Sequence, residues 1–94
     1  MMVTYGRSNG SSVYAGLRVA GREGGDSPGD IKGYTSVKNG ESDCDPTSSS
    51  DERWGDYFAM SLDASDQSKF WLFGEYALDS SDDKYGTWTA RANW

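Results

Sequence analysis

The stretch RWGDYFAMSLDASDQSKFWLFGEYA, residues 53–77, is the part of the chain that decides the fold. It is dense in large apolar and aromatic residues, with acidic residues spread among them. Consecutive side chains of a strand point to opposite faces, so Phe70 and Leu72 are expected on one face of a sheet. Trp71 and Phe73 then lie on the other face. A sheet that is apolar on both faces must be covered on both, and because no helix is indicated, other sheets are expected to cover it.

The composition of the whole chain agrees with this all-β prediction. Its 94 residues make at most one small domain. Twelve Gly, only two Pro and many Ser and Asp indicate short strands separated by frequent turns. Hydrophobic residues make up 35% of the chain, so the core is expected to be thin, as in other chains of this size.

Six strands are predicted, and their order suggests a duplicated unit. The segments between them are rich in Gly, Ser, Asn, Asp and Pro, which tolerate turn backbones, and the short ones fit antiparallel hairpins. Residues 39–55 are predicted to be a long connection between two sheets. A strand with a central Gly (Gly6, Gly74) is twice followed by a strand with an Arg (Arg18, Arg91), which indicates two copies of one β-meander. The predicted strands are 1–7, 12–20, 30–38, 56–63, 69–78 and 85–94.

Charge and residue types exclude several classes of function. The net charge of −6 argues against nucleic acid or an anionic membrane as a partner, since both require a basic face. No apolar run is long enough to span a membrane, and no signal peptide is predicted within the chain. Cys44 is the single cysteine, so no internal disulfide is expected. The absence of His removes the commonest general base, the commonest zinc ligand and the Ser-His-Asp triad together.

The second half of the chain carries a set of motifs in a fixed order. Arg-x-Gly-Asp-Tyr is followed by Met-Ser-x-Asp-x-x-Asp, then Phe-Trp and Glu-Tyr, and finally Thr-Trp. This order resembles the last blade of sialidase-like (BNR-type) β-propellers of secreted microbial proteins, and residues 80–88 resemble a stretched Asp-box. Residues 13–42 resemble the outer part of the preceding blade. One departure is Ala64, where the family usually has Pro. The matching positions are Arg53, Gly55, Asp56, Tyr57, Met60, Ser61, Asp63, Asp66, Phe70, Trp71, Glu75, Tyr76, Thr87 and Trp88.

The resemblance implies two incomplete antiparallel four-stranded propeller-type blades, a fragment of a larger β-propeller. Residues 1–38 would be the outer strands of the penultimate blade, 39–55 the connecting loop, and 56–94 the inner strands of the last blade. The parent protein would be extracellular. The expected partners are the remainder of the propeller, or other copies of the chain through open strand edges, with a glycan or a cell-surface protein as ligand.

Two functions follow from the resemblance. The first is a non-catalytic structural or glycan/protein-binding part of the propeller, and the alternative is the terminal blade pair of a glycoside hydrolase, a sialidase-like exo-glycosidase. Sialidases use a Tyr nucleophile activated by a Glu, with three Arg that hold the substrate carboxylate, and the resemblance makes Arg18, Arg53 and Arg91 the candidates for this carboxylate clamp. Glu75 and Tyr76 have these residue types, but consecutive strand residues point to opposite faces. No catalytic residue is therefore predicted, and the sequence favours no enzyme activity for this chain alone.

The entrance of the fourth predicted strand is the candidate ligand site. Asp56 is interpreted either as a ligand-binding group near the axis of the ring or as half of a buried Arg–Asp pair. The four tryptophans could stack on sugar rings, although packing between blades is the expected role of most of them. Trp54, beside the long loop, is the exception to test. The candidate residues are Arg53, Trp54, Asp56 and Tyr57.

Acidic loops suggest calcium as an alternative to the prediction of no cofactor. Calcium takes about six to eight oxygen ligands, which spaced Asp side chains can partly supply. The spacing of an EF-hand is absent, and solvated turns that protect edge strands from aggregation explain the same residues. The candidate calcium ligands are Asp43, Asp45, Asp63 and Asp66.

Overall fold

The structure, a computed structural model, describes residues 1–43, 54–79 and 84–93. Within these residues the chain is all-β and contains no helix, as predicted. Each of the six predicted segments overlaps one strand, although most of the bounds differ and β2 extends one residue beyond its predicted segment. The strands are β1 (Met2–Arg7), β2 (Gly16–Gly21), β3 (Lys32–Lys38), β4 (Ala59–Leu62), β5 (Lys69–Ala77) and β6 (Tyr85–Asn93).

The strands form two three-stranded antiparallel sheets, each in the order of the sequence. Sheet A has the order β1-β2-β3 and sheet B the order β4-β5-β6. Neighbouring strands are consecutive in the chain, so each sheet is a meander centred on β2 or β5. Each sheet thus has three strands among the described residues. The sequence predicted two four-stranded blades that each lack one strand.

The strand β2 begins at Gly16 because the residues before it form a side-chain-supported turn. The Asn9 Oδ1 accepts hydrogen bonds from the backbone N–H groups of Ser11, Ser12 and Val13, at 3.1, 2.7 and 2.9 Å. An Asn side chain commonly replaces a ladder partner in this way. Residues 12 and 13 are therefore held in a loop, although the sequence predicted a strand from residue 12.

A small apolar core lies between the two sheets. Leu17 and Val19 of β2 and Leu72 of β5 are its buried members, and Leu17 and Leu72 are almost completely inaccessible. Leu17 and Val19 alternate with Arg18, so they occupy one face of sheet A, as the period of a strand requires. Partly buried side chains complete this core: Met2, Val37, Phe58, Met60, Ala90 and Ala92.

Gly74 permits the closest approach of the two sheets. A Cβ atom at this position would lie 2.4 Å from the Leu17 Cδ1 and 2.7 Å from the Phe58 Cδ1. The ring of Phe58 is also close to β1, since a Cβ on Gly6 would lie 3.1 Å from its Cζ. The absence of a side chain at Gly74 therefore makes room for a leucine from sheet A and for the Phe58 ring.

Backbone hydrogen bonds join the sheets at the end of β5. The Ala77 N–H donates to the Ala15 carbonyl, and the Glu41 N–H donates to the Ala77 carbonyl, both at 2.8 Å. The Ser42 hydroxyl adds a bond of 3.0 Å to the Leu78 carbonyl. Gly40 is required here, because a Cβ would lie 2.5 Å from the Ala15 carbonyl oxygen. These bonds hold the sheets together independently of the apolar core.

The outer face of sheet B is covered less than the sequence predicted. Trp71 is 45% exposed, and its neighbour in the ladder, Arg91, is exposed as well. The Arg91 guanidinium lies over the Trp71 ring, 5.7 Å from its centroid. Within the described ranges no second sheet covers this face, so packing of Trp71 between blades stays a prediction.

Replacing Gly74 with Ala tests the close approach. The new methyl group would overlap Leu17 and Phe58, so we expect Gly74→Ala to lower the free energy of unfolding by about 1–3 kcal/mol. The matched control is Gly33→Ala in β3, where a Cβ would meet no atom within 4 Å. That change should be neutral or stabilising, by up to about 1 kcal/mol. Urea denaturation measures both variants, and equal stabilities would contradict the role of Gly74.

Candidate functional site

The predicted ligand residues at the entrance of β4 lie in one turn. Gly55 has a φ of 82°, a left-handed conformation that L side chains rarely adopt. Its N–H donates a 3.2 Å hydrogen bond to the buried Glu75 Oε2. Phe58 then enters the core, so the turn is held at both ends. Arg53 lies outside the described residues.

The structure separates the remaining three candidates by exposure. Trp54 is half-buried, whereas Asp56 is exposed and Tyr57 is 68% exposed. Asp56 is thus not the buried carboxylate that the alternative interpretation required, because the turn carries it away from the sheet. Trp54 is the candidate that the structure places against other parts of the fold.

The Trp54 indole separates two surface clefts, which we call the Trp54 clefts. The first has a volume of about 400 Å³ and is lined by residues 4–8, at the end of β1, together with Gly55 and Phe58. The second has a volume of about 380 Å³ and is lined by Ser8–Gly10, 13–15 and Asp43. The Nε1 atom of Trp54 is buried and has no hydrogen-bond partner. A buried donor without an acceptor costs about 1–3 kcal/mol, so a ligand oxygen that reached it would gain a favourable bond.

Glu75 and Tyr76 lie in different surroundings, as the sequence predicted. Both side chains are buried, but Glu75 accepts the bond from Gly55, whereas Tyr76 packs edge-on against Trp88 with ring centroids 6.2 Å apart. The Lys38 Nζ lies 4.5 Å from the centre of the Tyr76 ring. These contacts give Tyr76 a packing role and give Glu75 a role in holding the turn.

Two of the three arginines considered as a carboxylate clamp lie on opposite outer faces. Arg18 follows Leu17 in β2 and therefore points away from the core side of sheet A. Arg91 shares the outer face of sheet B with Trp71. The third, Arg53, lies outside the described residues. Arg18 and Arg91 therefore cannot hold one small carboxylate together.

The Asp63 carboxylate is used to build the turn between β4 and β5. Its Oδ1 accepts bonds from the Ser65 N–H at 2.8 Å and the Ser65 hydroxyl at 2.7 Å. Its Oδ2 accepts a 2.9 Å bond from the Trp71 indole N–H. These donors, the Ser65 hydroxyl first, lower the pKa of Asp63 to about 2. Each favours the charged form of the carboxylate.

Asp66 repeats this arrangement three residues later. Its Oδ1 accepts bonds from the Ser68 N–H at 3.1 Å and the Ser68 hydroxyl at 2.6 Å, and its Oδ2 pairs with the Lys69 ammonium. The bond from Lys69, followed by those from Ser68, holds the pKa of Asp66 well below its usual range. The two aspartates act as acceptors for consecutive parts of one turn.

The described part of the chain contains no cluster of side chains that would support the calcium hypothesis. No group of three or more His, Cys, Asp or Glu side chains there is arranged to hold a metal ion. Asp43 is exposed, and Asp45 lies outside the described residues. The oxygens of Asp63 and Asp66 already accept hydrogen bonds from the turn, and calcium binding stays a prediction.

The burial of Arg18 was not predicted from the sequence. Arg18 is only 5% exposed, although it lies on the outer face of sheet A. Its Nη1 donates a 3.2 Å bond to the Leu17 carbonyl, and its buried Nε has no hydrogen-bond partner. The guanidinium groups of Arg18 and Arg7 both lie over the ring of Tyr34. The available signal was an arginine inside the otherwise apolar strand GLRVAG.

Comparison of the chain with models of known families, with curated proteins and with solved structures finds no match. A search of the described residues finds no helix with the length and apolarity needed to cross a membrane.

The Asp63 turn makes stability depend on pH in the acid range. The pKa of Asp63 is lower in the folded protein than its ordinary value of 3.8. The charged carboxylate therefore contributes its full stabilisation of the folded state at pH values above 3.8. It is lost as the pH falls toward about 2. In Asp63→Asn an amide oxygen still accepts from Ser65, but no charge titrates. We expect this variant to be less stable than the wild type at neutral pH, with a difference that shrinks as the pH falls.

Thermal unfolding followed by circular dichroism across this pH range measures the effect. Asp30→Asn is the matched control, because Asp30 is an exposed aspartate in a loop. A constant difference between wild type and Asp63→Asn at every pH would contradict the assignment.

Calcium is tested by its effect on Tm. Since the carboxylates of Asp63 and Asp66 are already used as acceptors within their turn, we expect the same Tm in excess calcium and in excess chelator. A ligand that binds only the folded state raises Tm. A rise with calcium that is lost in Asp43→Asn would establish the predicted site and contradict this expectation.

Proposed function

We propose that the chain is a non-catalytic structural or glycan/protein-binding part of an extracellular sialidase-like β-propeller. The fold that supports this proposal is a pair of antiparallel meanders packed face to face. Propeller blades are small antiparallel sheets, usually of four strands, packed in this way around an axis. The order of the motifs in residues 53–94 is the second support.

Exposed aromatic and apolar side chains support a structural role in a larger assembly. On sheet B the Trp71, Trp88 and Tyr85 side chains are exposed by 45, 41 and 62%. Aromatic residues are enriched where proteins pack against each other. The outer strands β1, β3, β4 and β6 pair on one side only within the described residues, and such edges can accept a further strand.

The observation that carries the binding role is the buried, unpartnered indole N–H of Trp54 between its two clefts. A sugar presents apolar ring faces and hydroxyl oxygens, and an indole offers a flat apolar surface with one donor. A hydroxyl that accepts from Nε1 would satisfy the donor. Glycan is therefore the ligand class that these clefts fit best.

Replacement of Trp54 by Phe tests this role without removing the aromatic ring. In Trp54→Phe the indole N–H is lost, so we expect glycan binding to weaken about tenfold, the value of one hydrogen bond of about 1.4 kcal/mol. The fold should be retained, because an unsatisfied buried donor is removed. The matched control is Trp71→Phe, whose indole N–H bonds to Asp63 outside the clefts.

A glycan array identifies a bound glycan, and titration of that glycan against the variants gives the affinities. Trp71→Phe should bind as the wild type does. The binding proposal fails if the wild-type chain binds no glycan on the array, or if Trp54→Phe binds with unchanged affinity.

A further inference from the structure

The Arg18 guanidinium has one hydrogen-bonding edge that the fold leaves open. An arginine guanidinium has two edges that can each donate two parallel hydrogen bonds to a carboxylate. The side edge carries Nε and Nη2, and the terminal edge carries Nη1 and Nη2. Nη1 of Arg18 donates to the Leu17 carbonyl at 3.2 Å. Nε is buried and without a partner. Nε shares one edge of the guanidinium with Nη2; we call this edge the fork, and its Nε donor has no partner in the fold.

A second cation, Arg7, lies over the same aromatic ring as Arg18. The Cζ atoms of Arg7 and Arg18 are 5.0 and 5.8 Å from the centre of the same Tyr34 ring. The Arg7 guanidinium also donates a hydrogen bond to the Tyr34 hydroxyl. Two positive charges are thus collected on the outer face of sheet A, although the chain as a whole carries a net charge of −6.

Neither arginine belongs to the ion pairs found among the described residues. The ion pairs found there join Lys32 to Asp26, Lys38 to Glu41 and Lys69 to Asp66, and none includes an arginine. A buried charge normally has a hydrogen-bonded partner of opposite sign. Arg18, at 5% exposure, has only a carbonyl oxygen and an aromatic ring. The partner that its chemistry requires is an anion.

A pocket leads from the surface to this arginine, and we call it the Arg18 pocket. Its volume is about 310 Å³, and Ser12, Tyr14, Asn39 and Gly40 line it together with Val13. The wall that carries Ser12 is rigid, because the Asn9 side chain holds the backbone of this loop. Tyr14, which is 52% exposed, offers an apolar ring at the mouth of the pocket. A pocket of this volume matches a small organic molecule.

We propose that the Arg18 pocket binds a small organic acid through its carboxylate. The two carboxylate oxygens accept parallel hydrogen bonds from Nε and Nη2 of Arg18, while Arg7 contributes a second positive charge. The apolar part of the acid lies against Tyr14. A carboxylate fits the planar fork and carries a single charge, whereas a phosphate dianion would meet a chain of strongly negative net charge. The proposal does not depend on glycan binding at the Trp54 clefts.

The Nε–H group of Arg18 gives a direct test by nuclear magnetic resonance. Benzoate is the probe, since it combines a carboxylate with a flat apolar ring. In mildly acidic buffer, benzoate should shift the ¹⁵N–¹H signal of Arg18 Nε in a saturable way and slow the exchange of its proton with water. Arg91 is the internal control, because its exposed guanidinium lies over Trp71 on the other sheet. Inorganic phosphate at equal ionic strength should produce a smaller shift of the Arg18 signal.

Two variants show whether benzoate binding depends on the fork of Arg18 or only on positive charge. Arg18→Lys keeps the charge but loses the planar fork, so the affinity for benzoate should fall at least tenfold. Arg91→Lys should bind benzoate as the wild type does. If Arg18→Lys does not fold, Tyr14→Ala provides the second variant, because this exposed ring can be removed without opening the core, and its affinity for benzoate should also fall.

The proposal is overturned if benzoate leaves the Arg18 signal unchanged, or if it shifts the signals of Arg18 and Arg91 equally. A carboxylate from the chain itself is the remaining source of an anion. The triple variant Asp45→Asn, Asp51→Asn, Glu52→Gln removes the acidic residues at positions 44–53. Without ligand, its Arg18 signal should match that of the wild type. A large change would show that the fork is already filled, and would also overturn the proposal.

Discussion

The close approach of the two sheets at Gly74 is the constraint on which the rest of the structure depends. Leu17 and Leu72 are the largest side chains that are fully buried among the described residues, so few contacts define how one sheet lies on the other. The Leu17 side chain and the Phe58 ring both occupy the space that a Cβ on Gly74 would take. Phe58 in turn fixes the turn that contains Trp54 and Gly55. Phe58 also lines the first of the Trp54 clefts, so the glycine in β5 makes room for one wall of that cleft.

The acidic residues of the β4–β5 turn illustrate how charge can serve structure rather than ligand binding. Asp63 and Asp66 each accept the N–H and the hydroxyl of the serine two residues later. The remaining oxygens bond to Trp71 and Lys69. Among the described residues, the buried side-chain donors without a hydrogen-bond partner are Nε1 of Trp54 and Nε of Arg18. We therefore expect ligands at the unpaired donors of Trp54 and Arg18, and not at carboxylates that already accept hydrogen bonds within their own turn.

Much of the fold was predictable because strands and turns are local features. Apolar and aromatic segments separated by clusters of Gly, Ser and Asp predicted all six strands, whereas the second covering layer expected from the two-sided apolar pattern of β5 is not found among the described residues. The late start of β2 was not predictable in this way, since it depends on three hydrogen bonds to one oxygen of Asn9. The separation of Glu75 from Tyr76 was predictable from strand geometry alone.

The candidate sites were less predictable, for a physical reason that Arg18 makes clear. By itself, the sequence determined the all-β class, the order of the strands, the negative charge and the position of Trp54 beside a turn. Only the tertiary structure decided that Trp54 lines two clefts, and that Arg18 is buried against Tyr34 of β3 with its Nε unpaired. Strand propensity depends on neighbours in the chain, whereas the solvation and pairing of a side chain depend on residues that the register of the sheets brings together.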